Sequence, residues 1–196
     1  MSALTSHYTN YEQLIARLKN VIQISQRRVT DDPPDPLMLD NINFFTKAYL
    51  VSLCTYLEAF LQDVAVAHIS EVQSRLTLAR IPKNVVLWAT RSGEIKEKDY
   101  AFCDFTLSLS RDELANELSG NPYKTILLFK RIGIDLRSSP EFEHYKVTIG
   151  SVVQKRNLII HHNDSAADIT MADLLRYADE FLGYMQAVDV AAARAK

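Results

Sequence analysis

The stretch AYLVSLCTYLEAFLQDV, residues 48–64, indicates the fold of this protein. It lies within a segment from Asn43 to about Ser74, in which apolar residues occupy nearly every side of a helix through Leu61. A helix that is apolar all round is normally buried among other elements. We therefore predict that this segment is the central helix of an all-α helical bundle with long antiparallel core helices.

The flanking segments also show helical spacing. Residues 11–22 carry an apolar stripe that ends at the turn-rich DDPPDP of 31–36. The segment AFCDFTLSL, 101–109, alternates in polarity, and we predict a small irregular insertion there, in an extended or loop conformation. Further helices are predicted where a capping signal or an apolar stripe begins, at Pro82, Ser110, Asn121, Glu141 and Thr170.

The composition is that of an ordinary globular protein, with 47% hydrophobic and 23% charged residues in a chain of 196. This length supports one hydrophobic core, and we predict a single domain over 1–196 with its core at about 43–185. A net charge of −2 argues against a protein that coats nucleic acid through bulk charge, so any nucleic-acid site must be a local groove. The sequence contains no GxGxxG, GxxxxGK[ST] or GxSxG motif, which argues against the common nucleotide-dependent enzymes and nucleophile-elbow hydrolases.

Several features favour a cytoplasmic location. The two cysteines, Cys54 and Cys103, lie among apolar neighbours, which predicts buried, reduced thiols and neither a disulfide nor a zinc site. The first residues, MSALTSHYTNYEQ, do not have the pattern of a secretion signal. The most apolar run, residues 48–57, is too short to cross a bilayer, so we expect no contact with a membrane.

A second stretch, KRNLIIHHND at 155–164, carries the candidate chemistry. Asn157 and His161 share one helical stripe, and the long side chain of Arg156 can swing round from its position beside that stripe. A guanidinium can hold a phosphate through its fork, and an imidazole that titrates near neutrality can move a proton. Lys155 is a weaker candidate for RNA binding. The structural alternative is that the helix dipole alone favours Arg and His near a helix C-terminus.

Glu58 is the second candidate for a special role. Between Asn41 and Gln62 the only charged residues are Lys47 and Glu58. Glu58 is either a buried acid paired with a basic residue or half-exposed at the edge of the helix. Because a buried carboxylate needs a partner, Arg156 is the natural candidate in the first case.

The pairing of AYLVSLCTYLEAFLQDV (48–64) with VVQKRNLIIHHND (152–164) resembles the HEPN superfamily of α-helical ribonucleases. The signature of that superfamily is an Arg, usually followed by a polar residue, and a His after a gap of four to six residues. Here Arg156, Asn157 and His161 match it. Several HEPN families add an acidic residue on an earlier core helix, where Glu58 lies. The resemblance is closest to stand-alone prokaryotic proteins of toxin–antitoxin and phage-defence systems.

This resemblance implies a metal-independent endoribonuclease that needs no cofactor. It implies a homodimer in which two motif helices meet, and cleavage that leaves a 2′,3′-cyclic phosphate and a 5′-hydroxyl. His161 would act as general acid or base, Arg156 would stabilise the phosphorane charge, and Asn157 would orient the phosphate or His161. Glu58 and His162 would be supporting residues. The implied partners are RNA (tRNA or single-stranded RNA), a second copy of the chain and a cognate antitoxin.

Two other functions fit the same residues. Some HEPN domains only dimerise or bind partners, and the acidic balance of the chain fits such an interaction module as well. A metal hydrolase could use His161, His162, Asp164 and Asp168. However, adjacent histidines point about 100° apart on a helix, and the sequence has no HExxH spacing.

Overall fold

A computed structural model describes residues 4–90, 96–107, 109–162 and 164–195. These ranges contain eight α-helices, two short 3-10 turns (Glu97–Asp99 and Leu136–Ser138) and no β-strand. The predicted all-α fold is confirmed. The helices are α1 (Ser6–Thr30), α2 (Pro36–Asp40), α3 (Ile42–Ala79), α4 (Lys83–Thr90), α5 (Arg111–Glu117), α6 (Pro122–Arg131), α7 (Pro140–His162) and α8 (Met171–Arg194).

Four long helices, α1, α3, α7 and α8, form the bundle, and α8 packs against the other three. Hydrogen bonds between side chains show the relative direction of α1 and α3. Tyr11, early in α1, donates to Asp63 at 2.7 Å, whereas Ser25, late in α1, bonds to Tyr49 at 2.7 Å. The two helices are therefore antiparallel, as predicted for the core.

Helix α3 occupies the centre of the core and continues past its predicted end at Ser74. By length and composition alone, α3 could cross a membrane, which differs from the prediction that its apolar run is too short. A buried central helix of a bundle has the same composition, and α3 packs against α1, α7 and α8. Its completely buried side chains are Leu50, Leu53, Cys54, Leu57, Phe60, Leu61 and Ala65.

The segment between α3 and α5 has little part in this core. Helix α4 has no buried residue. The described part of 101–109 is neither helix nor strand, and Phe105 donates its N–H to the Ile81 carbonyl at 2.7 Å. The predicted irregular insertion is confirmed there. Cys54 is buried, but the prediction of a buried thiol is wrong for Cys103, which is exposed because this segment lies on the surface.

Local capping signals fix where the later helices begin. Ser110 and Glu113 bond to each other reciprocally before α5, and Thr170 and Asp173 do the same before α8. The side chain of Asn121 accepts the first N–H groups of α6. These three predicted starts are confirmed, and the cap at Asn121 also fixes the turn that leads from α5 into α6.

Candidate active site

The last turns of α7 have a buried side and an exposed side. Val152, Val153 and Ile159 are buried against the bundle. Each residue of an ideal helix is rotated by about 100° from the one before it, so Arg156 and Asn157 leave the helix in different directions. Arg156 is directed towards α3. The exposed residues of these turns are Asn157, Leu158, Ile160, His161 and His162.

An ion pair to Glu58 of α3 holds Arg156 in place. Nη2 of Arg156 lies 2.8 Å from Oε2 of Glu58, and Nη1 donates to Oδ1 of Asn157 at 3.1 Å. The side chains of Arg156 and Glu58 are 18% and 24% exposed, so most of their surface is shielded from water. The predicted pairing of Glu58 with Arg156 is confirmed, and Glu58 keeps an exposed fraction of 24%.

The guanidinium of Arg156 is only partly satisfied by these contacts. Its Nε is buried and has no hydrogen-bond partner in the described part of the chain. Cys54, one helical turn before Glu58, is completely buried, and this burial raises the pKa of its thiol to about 12, against a smaller opposing effect of the Arg156 charge. The ion pair therefore borders the apolar core. Buried ion pairs add little net stability, and an unsatisfied buried donor in a native structure requires an explanation.

The second oxygen of Glu58 contacts the turn between α5 and α6. Oε1 accepts the backbone N–H of Gly120 at 3.3 Å. Gly120 is buried, and a Cβ added there would lie 3.3 Å from both Cγ of Glu58 and Cγ2 of Val153. The sequence motif did not identify this residue. The SGNP stretch at 119–122 indicates a turn, but no local pattern shows that the turn reaches Glu58.

The end of α7 is tied to its surroundings by a cluster of charges. Nζ of Lys155 lies 2.9 Å from carboxylate oxygens of both Asp164 and Asp168. These hydrogen bonds raise the pKa of Lys155, and the bond from Lys155 lowers the pKa of Asp164. Asn43, at the start of α3, accepts the N–H of Ala166 at 2.9 Å. The charge of Lys155 is therefore balanced by two carboxylates, and its role in RNA binding stays a prediction.

The two histidines lie at the exposed end of α7. Within the described residues, neither imidazole makes a hydrogen bond or an ion pair with another side chain. Within one protomer, Arg156 contacts both Glu58 and Asn157. His161 lies on the outer surface of α7, on the same helical stripe as Asn157. On an ideal helix the positions of Arg156 and His161 differ by about 140°.

Apolar groups continue along the outer surface of α7. Val147 and Leu158 are 69% and 40% exposed, and Ser151 and Gln154 between them are also exposed. On an ideal helix these four residues share one side with His161. We call this surface, made by Val147, Ser151, Gln154, Leu158 and His161, the α7 face.

The ligand types considered for a metal hydrolase are not arranged as a metal site. No group of three or more His, Cys, Asp or Glu side chains that could hold a metal ion occurs among the described residues. Asp164 and Asp168 instead bond to the ammonium of Lys155.

The antiparallel all-α bundle, with Arg156, Asn157 and His161 at the end of one core helix and Glu58 on another, resembles a HEPN domain. The chain belongs to the RiboL-PSP-HEPN family, whose model matches residues 7–193. The predicted resemblance to the HEPN superfamily is thereby confirmed. No curated protein and no solved structure gives a significant match to the chain.

Proposed function

We propose that this HEPN protein is a metal-independent endoribonuclease with Arg156, Asn157 and His161 as its catalytic residues. The main support is the state of Arg156, a mostly buried cation with an unsatisfied Nε, which bonds to the exposed amide of Asn157 in the same two helical turns that carry the exposed imidazole of His161. A purely structural arginine would be expected to have its donors satisfied. A guanidinium in this position can bind an anionic phosphate of the substrate through its fork.

The reaction needs one proton removed and one supplied. The 2′-oxygen of the substrate loses its proton to a general base and bonds to the adjacent phosphorus, and the bond from phosphorus to the 5′-oxygen breaks. The leaving 5′-oxygen takes up a proton, so the products are a 2′,3′-cyclic phosphate and a 5′-hydroxyl. His161 moves one of these protons, Arg156 offsets the charge on the phosphorane oxygens, and Asn157 orients the phosphate.

We propose further that the working site is formed by two copies of the chain. Arg156 and His161 lie on different sides of α7, and the α7 face exposes apolar surface. A second copy packed on this face would repeat each contact across a two-fold axis and bring the His161 ends of the two α7 helices together. Sedimentation at micromolar concentration should show a dimer, and Leu158→Glu should dissociate it. A monomeric wild-type protein would contradict the composite site.

The activity is tested with purified protein, total tRNA and a synthetic single-stranded RNA, with and without EDTA. Arg156→Ala and His161→Ala should each lower cleavage by about 100-fold or more, since transition-state charge stabilisation and proton transfer by a positioned group each contribute about that much or more. His162→Ala should have a milder effect. His144→Ala is the matched control, because His144 is an exposed histidine at the other end of α7. Cleavage that requires metal, or that survives in His161→Ala, would refute the proposal.

A non-catalytic interaction module is the alternative, and one observation favours it. Arg156 is already paired and mostly covered in the single protomer, as expected for a structural residue. RNA cleavage by the wild-type protein distinguishes the two functions. An interaction module would form its dimer or partner complex normally while the wild-type protein cleaves none of the RNAs tested.

For the biological context we propose a cytoplasmic toxin–antitoxin or phage-defence system with a cognate antitoxin protein. Only the resemblance of the motif residues supports this context. Induced expression in a bacterial host should then arrest growth, and His161→Ala should relieve the arrest. Unimpaired growth at a high level of folded wild-type protein would count against a toxin.

A further inference from the structure

We infer that Gly120 is a positioning residue for the candidate active site, because the turn between α5 and α6 sets the carboxylate of Glu58 and, through it, the guanidinium of Arg156. This inference rests on the proposed function for its catalytic consequence. The geometry itself can be tested without RNA. It assigns a role in the site to residues 118–121, which lie outside the Arg–His motif.

The turn contacts the carboxylate of Glu58 directly. The carboxylate has two oxygens, and each has one partner from a different part of the chain. Gly120 donates its N–H to Oε1 at 3.3 Å, and Arg156 donates to Oε2 at 2.8 Å. With one oxygen held by the turn, the carboxylate has little freedom to rotate, so the second oxygen offers Arg156 a fixed position.

A side chain at residue 120 would crowd Glu58 and Val153. A Cβ at Gly120 would lie 3.3 Å from Cγ of Glu58, 3.3 Å from Cγ2 of Val153 and 3.5 Å from Oε1 of Glu58. The two distances of 3.3 Å are tighter than most van der Waals contacts of a Cβ, whereas 3.5 Å is an ordinary contact, so an added methyl group must push the Glu58 side chain or α7 by a few tenths of an ångström. Glycine allows the backbone N–H to approach the carboxylate closely.

Hydrogen bonds within the turn and to α6 make the turn rigid. Thr125, completely buried in α6, donates its hydroxyl to the carbonyls of Ser119 and Asn121, both at 3.1 Å. Asn121 caps α6 with its side chain and donates its own N–H to the hydroxyl of Ser119 at 3.2 Å. The turn cannot yield easily, so a methyl group at residue 120 should displace Glu58 and leave the turn in place.

The test observes Arg156 directly, by NMR of the arginine side-chain Nε–H in isotope-labelled protein. The Arg156 signal is assigned from its absence in Arg156→Lys. In Gly120→Ala it should shift towards its position in Glu58→Gln, because both changes disturb the same contact. Gly150→Ala is the matched control. Gly150 lies on α7 like Arg156, but a Cβ there would meet only Pro122, at an unstrained 3.9 Å. An unchanged Arg156 signal in folded Gly120→Ala would overturn the inference.

The reverse measurement covers the case in which Gly120→Ala does not fold. Amide hydrogen exchange at Gly120 should accelerate by roughly tenfold in Glu58→Ala, the effect expected for one hydrogen bond to a charged group. Unchanged exchange would also overturn the inference. In RNA cleavage, Gly120→Ala should lower kcat more than it changes KM. If the wild-type protein does not cleave RNA, the proposed function fails while the two NMR measurements still decide the role of Gly120.

Discussion

Replacement of Glu58 by Gln should destabilise the protein more than replacement of its partner Arg156 by Gln. Glu58→Gln leaves Arg156 mostly buried without a carboxylate to balance its charge, and with an unsatisfied Nε. A guanidinium stays charged at every accessible pH and cannot escape this cost. In Arg156→Gln, by contrast, Glu58 keeps the N–H of Gly120 as a partner, and no buried cation is left without its counter-charge.

The size of the effect follows from the distance and the exposure of the pair. Two unit charges at the observed 2.8 Å attract by about 6 kcal/mol at an effective dielectric constant of 20 and about 1.5 kcal/mol in water. Loss of one partner costs about 3–5 kcal/mol for fully buried pairs, whereas exposed pairs are worth about 0–1 kcal/mol. With 24% and 18% exposure, we expect about 2 kcal/mol for Glu58→Gln and about 1 kcal/mol for Arg156→Gln.

Urea denaturation measures both changes, and for a chain of this length a loss of about 2 kcal/mol corresponds to a Tm lower by roughly 4–8 °C. Arg131→Gln is the matched control. Its ion pair with Glu117 is slightly shorter, at 2.6 Å, but the side chains are 65% and 59% exposed. Its loss should cost less than about 1 kcal/mol. If Glu58→Gln is as mild as this control, or milder than Arg156→Gln, the reasoning from burial and the unsatisfied Nε is refuted.

Three further predictions concern packing, thiols and pH. Gly183→Ala should cost about 1–3 kcal/mol in urea unfolding, because a Cβ there would overlap the ring of Tyr145, and a neutral result would show that the ring moves aside freely. A thiol reagent at neutral pH should label the exposed Cys103 quickly, but should label Cys54 only after unfolding, because burial raises the pKa of the Cys54 thiol to about 12. Mass spectrometry of the peptides shows which cysteine is labelled. The bond from its lysine partner lowers the pKa of Asp164 below the ordinary 3.8. The stability advantage of wild type over Asp164→Asn should therefore be complete above pH 3.8 and vanish as the pH falls through the lowered pKa. An advantage that does not depend on pH would contradict the ion pair.

The sequence by itself determined the helical elements and the identity of the candidate residues. Apolar periodicity and caps act over a few neighbouring residues, so the helix starts at Ser110, Asn121 and Thr170 could be read locally. The composition of 48–64 was enough to place that segment at the centre of a bundle. The Arg156, Asn157 and His161 pattern was also visible, because it lies within two turns of one helix.

Only the tertiary structure decided what these residues contact. Glu58 meets Arg156 and Gly120 across 98 and 62 residues of chain, and such contacts depend on how the helices pack, which no local pattern records. The same packing turned Arg156 inward and left His161 on the surface, although the sequence places them within a few residues of each other. It also separated the two cysteines, since Cys54 lies on the central helix and Cys103 on a segment with little part in the core. Helical periodicity fixes which residues share a side, but burial is assigned by the neighbouring helices that cover that side.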